Sequence, residues 1–239
     1  RGGSSGDGGG GSGSARMLYS PAQSYAMEGQ ILSGVTVTVV HNEQMLFTCI
    51  DAAMQAPIVG VDFEWPPDFF KHVSHIRLAL MQVAVSEQYV FIVQLQRFKS
   101  ARSRAKLLEF LLGDRPAKVG YGIAQDVTRL HQHFQVPQQQ HFSLLDVMLV
   151  AKNSGVAAPY HLQSVAHRVA GVAIPKCKKI TLSNWANYKL TPQQISYAAV
   201  DALVTLKIGV VLGTSGGAAT STSTTTTVAT TTTTITNVA

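Results

Sequence analysis

Cysteine is nearly absent. Only Cys49 and Cys177 occur, with no CxxC spacing, which excludes a cysteine-rich zinc site and supports no disulfide framework; a reducing compartment is the default. No apolar run is read as reaching the ~18 residues that cross a membrane. No signal peptide is visible in the first residues given, and no membrane partner is expected. Residues 1–17 are mostly Gly and Ser with almost nothing apolar. Such a segment cannot offset its ordering entropy and is expected to be disordered. Residues 213–239 are mostly Thr, Ser and Ala, without charge, turns or alternation, and read as a low-complexity tail. That leaves residues 18–212 as one domain with enough chain for a core.

Acids are scarce too. The chain has 13 Asp plus Glu against 19 Lys plus Arg, a net charge of +6, and a pI of about 9.4. Between Gln30 and Leu212 the balance is 17 bases to 11 acids, so the excess lies within the domain. A basic domain is compatible with nucleic acid without requiring it. If several of those acids hold metal, the remaining surface is more basic still.

Against this background the stretch Ile58-Val59-Gly60-Val61-Asp62-Phe63-Glu64-Trp65 stands out. It reads as a strand of β-branched and aromatic residues with acids at alternate positions. Strand side chains alternate faces, so Asp62 and Glu64 point one way while Val59, Val61 and Phe63 point the other, toward a core. Adjacent carboxylates on a buried strand repel and lose hydration, which a hard cation between them relieves; oxygen-only ligands suit Mg²⁺ or Mn²⁺. The alternative is a strand whose acids merely face water.

The surrounding pattern predicts strands at 35–40, 77–85 and 89–95, with 86–88 a hairpin turn. With 58–65 these last two form an antiparallel meander. Helices are expected at 43–53, 102–112, 124–134, 144–151 and 161–169, with a short strand at 117–121. The last helix carries the clearest local signal. Thr191 is an N-cap, Pro192 takes the first helical position and Gln194 completes a capping box. The helix should run to about Val211, packing through Ile195, Ala198, Ala199, Ala202, Leu203 and Leu206, with Tyr197 and Asp201 one turn apart on one face. The fold class is therefore α/β: a mixed sheet that starts with a meander and continues in α/β units flanked by helices.

Asp126 at a helix start, Asp201 inside a helix and Tyr197 beside it each have an ordinary reading: a helix-dipole acid, a solvated acid and a core aromatic. Together with the acidic strand they form a pattern. The segments VGVDFEW (59–65), VGYGIAQD (119–126) and YAAVD (197–201), in this order and at this spread, resemble the three exonuclease motifs of the DEDD superfamily. The Tyr four residues before the last Asp places the resemblance in the DEDDy branch. Ile180 to Trp185, Leu190-Thr191 and Tyr197 to Ala202 look most like the Werner-type and plant-like members. The resemblance covers about Val35 to Leu212 and implies a ribonuclease-H-like fold. Many DEDD members have Asn four residues before the middle Asp; here that position is Gly122, a departure shared with the Werner-type members.

The resemblance implies hydrolysis of phosphodiesters from the 3′ end with two ions, Mg²⁺ or Mn²⁺. Asp62 would bridge them, Glu64 and Asp201 would complete one, and Asp126 would hold the other partly through water. Tyr197, with an ordinary pKa near ~10, would orient water through its hydroxyl rather than act as a base. Substrate contacts are expected from Trp65, which could stack on a base or pack, and from Arg102 and Arg104 in a basic run that suits phosphates or simply faces water. Lys176, Lys178 and Lys179, and the Trp185 to which they lead, are the other expected contacts. DNA 3′ ends are the favoured substrate, and RNA is the alternative, as in exonucleases of the ribonuclease D or Rrp6 type; an inactive nucleic-acid-binding module is the third reading. The resemblance also suggests a helicase partner and a nuclear location, with cytoplasm or an organelle as alternatives.

Overall fold

Alternation along one strand divides the molecule into two halves. The computed structural model describes residues 19–67 and 78–216. Its six-stranded sheet has the order β1-β4-β3-β2-β5-β6, formed by β1 (Thr36–Val40), β2 (Ile58–Glu64), β3 (Leu80–Ser86), β4 (Tyr89–Gln94), β5 (Ala117–Gly120) and β6 (Leu145–Asp146). β2, β3 and β4 are the expected antiparallel meander. β1 joins β4, β5 joins β2 and β6 joins β5, all in parallel. The mixed α/β sheet read from the sequence is thus the one observed, and β2 lies inside it.

Val59, Val61 and Phe63 enter a core with Leu46, Cys49 and Ile50 of α2 (Glu43–Gln55), Leu107, Phe110 and Leu111 of α3 (Ala101–Leu112), and Leu130 and Phe134 of α4 (Ala124–Phe134). The opposite face is closed by α8 (Pro192–Gly216), whose Ala198, Ala199, Ala202, Leu203 and Leu206 cluster with Leu80 and Ala84 of β3 and Val90 and Ile92 of β4. α8 approaches β2 so closely that a Cβ at Gly60 would collide with the Ala202 carbonyl and come within 2.8 Å of the Leu206 backbone nitrogen. A third cluster joins Val200, Val204 and Ile208 of α8 to Val119, Val147 and Ala151, the last two from α5 (Val147–Asn153).

The α8 cap forms as expected: the Gln194 amide donates to Thr191 Oγ1 (3.2 Å) and the Thr191 amide to Gln194 Oε1 (3.0 Å). Two expectations about this helix need correcting. It continues to Gly216, past the expected end at about Val211. Over Pro192–Gly213 it is also long and apolar enough to cross a membrane, with a mean hydropathy of 1.8. Two-thirds of that apolar window is buried inside the protein. Packing against both the sheet and neighbouring helices makes a helix apolar all round.

Smaller differences lie elsewhere. Leu145 and Asp146 are the last strand rather than the first turn of a helix, and α5 starts at Val147. The helix expected at 161–169 is α6 (Leu162–Val165) followed by a π-helical turn, Ala166–Ala170, stopped by Gly171 at φ 67°. A further short helix, α7, spans Lys178–Thr181. Arg77, expected to open a strand, lies outside the described residues. The helix α1 (Pro21–Ile31) was not anticipated, although Ser20, Pro21 and Gln23 form the same kind of capping box as α8. Its apolar residues make no stripe, which is the signal that helix reading relies on most.

Candidate active site

Asp62 and Glu64 project from the C-terminal half of β2 toward α8, and Asp201 projects from α8 to meet them. One carboxylate oxygen from each lies within 4.8 Å of the others. The glycine at position 60 makes this convergence attainable, because it lets the α8 backbone at Ala202 press against the strand. Asp126 sits in the first turn of α4 and is buried, at 7% exposure. It is not part of the three-acid group, but its charge acts on both Asp62 and Glu64.

A fifth acid sets the backbone that leads to Asp126. The Asp146 carboxylate accepts from the amides of Gly122 (2.9 Å), Ile123 (3.2 Å) and Met148 (2.9 Å). It therefore caps α5 and clamps the loop between β5 and α4. Gly122 has φ 67°, a left-handed conformation that glycine adopts freely and that Asn also tolerates. The departure from Asn at this position is therefore compatible with the loop's shape.

Electrostatically the site is a cluster of acids short of positive charge. Burial pushes Asp62 well above the usual carboxylate range, and the charges of Asp201 and Asp126 push it further. Burial does the same to Glu64, followed by Asp62, Asp201 and Asp126. Asp126 is raised to about 7 by burial and then by Asp146, with Arg129 opposing. Asp201 is raised to about 7 by burial; hydrogen bonding with Tyr197 opposes this, Glu28 adds to it and Lys176 opposes it. Such a cluster holds protons unless a cation replaces them. Its donors are all carboxylate oxygens, the set that suits a hard divalent cation.

Tyr197 is pushed well above its ordinary value by burial and by the charges of Asp201 and Glu64. It therefore keeps its proton near neutrality and can donate a hydrogen bond. Thr181 Oγ1 donates to its hydroxyl at 3.3 Å, and its ring packs 5.9 Å from that of Trp185.

The expected substrate contacts divide. Trp65, at the end of β2, lies under the Arg129 guanidinium at 4.3 Å, and both line an open groove of about 420 Å³ with Gln125, Thr128 and Gln132. Lys176 is close enough to act on Asp201. Lys178 and Lys179 are exposed at the start of α7, and Lys179 lines a separate groove with Asn184, Asn187 and Gln193. Trp185 requires a correction. It is fully buried, its indole N–H donates to the Thr181 carbonyl (3.2 Å), and it belongs to the core beneath α8. No nucleotide can reach it. Arg102 lies over the Phe47 ring (4.6 Å) and Arg104 over Phe134, whose carbonyl it also bonds. Both guanidiniums are engaged on the side of the sheet opposite α8.

Sequence reading missed Arg129 and Glu28. Arg129 is one turn after Asp126, a spacing that could have flagged it. Glu28 on α1 accepts from Ser24 Oγ (3.0 Å) and is raised by burial to about 7. Only the docking of α1 on α8 brings it near Asp201, so no local signal points to it.

Comparison with known proteins agrees with this geometry. Residues 37–214 match the family model described as 3′–5′ exonuclease. The mouse (Mus musculus) bifunctional 3′–5′ exonuclease/ATP-dependent helicase WRN is 33% identical over 162 residues, 68% of this chain and 11% of that protein. A 3′–5′ exonuclease of Arabidopsis thaliana is 29% identical over 188 residues, 77% of this chain and 64% of that one. The crystal structure of Trypanosoma brucei RNase D shares the fold, with a TM-score of 0.62 at 19% identity over 74% of this chain and 64% of its own. The chain belongs to the 3′–5′ exonuclease family. It spans about a tenth of the mouse relative and under two-thirds of the Arabidopsis one.

Proposed function

We propose that the domain removes nucleotides from the 3′ end of DNA using two divalent ions, Mg²⁺ or Mn²⁺. The observation that carries this is the meeting of Asp62, Glu64 and Asp201 oxygens within 4.8 Å, with Tyr197 one helical turn from Asp201. Asp62, Glu64 and Asp201 would hold one ion, and Asp62 and Asp126 the other. When bound, the ions activate water and stabilise charge on the attacking and leaving oxygens. The carboxylates must first release the protons that burial favours. Tyr197, kept protonated and hydrogen-bonded to Asp201, would orient the attacking water through its hydroxyl oxygen. Trp65 and Arg129 form the rim on which a base and its phosphate rest. Lys176 adds a positive charge beside Asp201.

DNA is favoured by the resemblance to Werner-type members. The Werner-type resemblance also motivates a helicase partner and a nuclear site of action, which co-purification and imaging of a tagged chain would check. The deciding experiment is digestion of matched DNA and RNA 3′ overhangs with Mg²⁺, Mn²⁺ or EDTA. Mononucleotides should leave the 3′ end of DNA, faster than from RNA, and only with a divalent ion. Faster RNA digestion moves the assignment to the ribonuclease D or Rrp6 type. Binding without cleavage of either leaves an inactive nucleic-acid-binding module.

A further inference from the structure

Gln82 occupies the middle of β3 and is fully buried. In the antiparallel register it stands directly opposite Asp62, with Leu80 opposite Glu64 and Ala84 opposite Gly60. Directly paired residues project to the same face with Cβ atoms ~4.5–5.5 Å apart. The carboxamide therefore shares the α8 side of the sheet with Asp62. Its other neighbours there are apolar: Leu80 and Ala84 along β3, and Ile92 opposite it on β4, all within the cluster under α8.

Neither the nitrogen nor the oxygen of this carboxamide has a hydrogen-bond partner. Two other buried glutamines behave differently. Gln94 donates to the carbonyls of Asn187 and Tyr188 and accepts from Arg97. Gln194 bonds Thr191, Ser183 and Asn184. A buried amide without partners gives up its hydrogen bonds to water with no replacement, and leucine would fill the same space without that cost. The amide thus stands unpaired in an otherwise apolar row, one strand spacing from a carboxylate of the site.

We propose that Gln82 is a positioning residue for Asp62. Its Nε2 donates to the Asp62 carboxylate of the cation-loaded site and fixes the orientation in which that carboxylate holds the ion. The inference rests on the metal-site reading above. Partners that orient a ligand in this way typically contribute about 10- to 100-fold to metal affinity.

The test is a calorimetric titration of Mn²⁺ into the whole chain without nucleic acid, for the parent, Gln82→Leu and Gln82→Met, together with thermal unfolding of each in EDTA. Both variants keep the volume roughly and remove the donor. The expected result is about 10- to 100-fold weaker Mn²⁺ binding with a Tm in EDTA at or above the parent's. Unchanged affinity in either folded variant overturns the proposal. A lowered Tm in EDTA in both variants also overturns it, because Gln82 would then serve the fold. A parent that binds no Mn²⁺ overturns the metal site itself, whereas a binding parent with equally tight variants overturns the role of Gln82 alone.

Discussion

Val59, Val61 and Phe63 alternate along β2 with Gly60, Asp62 and Glu64, and the two rows respond oppositely to the loss of water. On one side, burial among α2, α3 and α4 stabilises the fold by removing apolar surface from solvent. On the other, burial under α8 raises the pKa of Asp62 and Glu64, so the same desolvation works against the charged state. One strand thus carries a row that holds the protein together and a row that is strained until a cation arrives. In this molecule the site and the core are separated by a single residue step rather than by distance.

The strongest way to break that comparison is to exchange the rows' properties. Asp62→Ala should reduce cleavage to the EDTA background while leaving Tm in EDTA no lower than the parent's, since removing one acid relieves repulsion among the others. A large drop in that Tm would place Asp62 with the structural row. Phe63→Ala should do the reverse. Its cost should be about 3–5 kcal/mol of stability in a denaturant titration, and at temperatures where it stays folded it should retain metal-dependent cleavage.

Tyr197→Phe keeps the ring against Trp185 and removes only the hydroxyl. By analogy with deletion of a positioned donor, the barrier should rise by about 2–4 kcal/mol, or roughly 30- to 1000-fold in single-turnover rate. Binding of a DNA 3′ end should barely change. A rate within about twofold of the parent would return Tyr197 to the packing residues.

The smallest effect is a pH dependence that sharpens the contrast. Asp126 and Asp201 are raised to about 7, and Asp62 and Glu64 are raised as well. Between the ordinary carboxylate range near ~4 and these folded values, the native state binds more protons than the unfolded state. Stability in EDTA must therefore fall as pH rises from about 5 to 8. Mg²⁺ binding should strengthen over the same interval, because the acids must be ionised to coordinate. A Tm in EDTA that rises through this window would contradict the raised values. Asp62→Ala should flatten the slope.

Local rules made much of this legible. Alternation identified β2 and sent Asp62 and Glu64 to one face; the Thr191-Pro192-Gln194 cap started α8 where it starts; and the turn spacing set Tyr197 beside Asp201. Trp65 and Trp185 show where local rules stop. Trp65 closes the first motif and Trp185 ends the segment from Ile180; the sequence offers both to nucleic acid, Trp65 with packing as its alternative. One lies under Arg129 at the edge of a groove, while the other is sealed beneath α8. Nothing within a few residues of either distinguishes them, because their exposure depends on which distant helix covers them.

The sequence by itself determined β1 to β5, α2 to α4 and the start of α8, the carboxyl chemistry and the family motifs, since each depends on residues within one or two turns of chain. Tertiary structure decided the rest. It brought Asp201 across from β2 over the notch at Gly60, tied the loop before Asp126 to Asp146, docked Glu28 beside Asp201, and left Gln82 unpaired opposite Asp62. Those outcomes depend on contacts between segments far apart in the chain. Desolvation, the largest influence on every acid in the site, exists only after those segments have closed together.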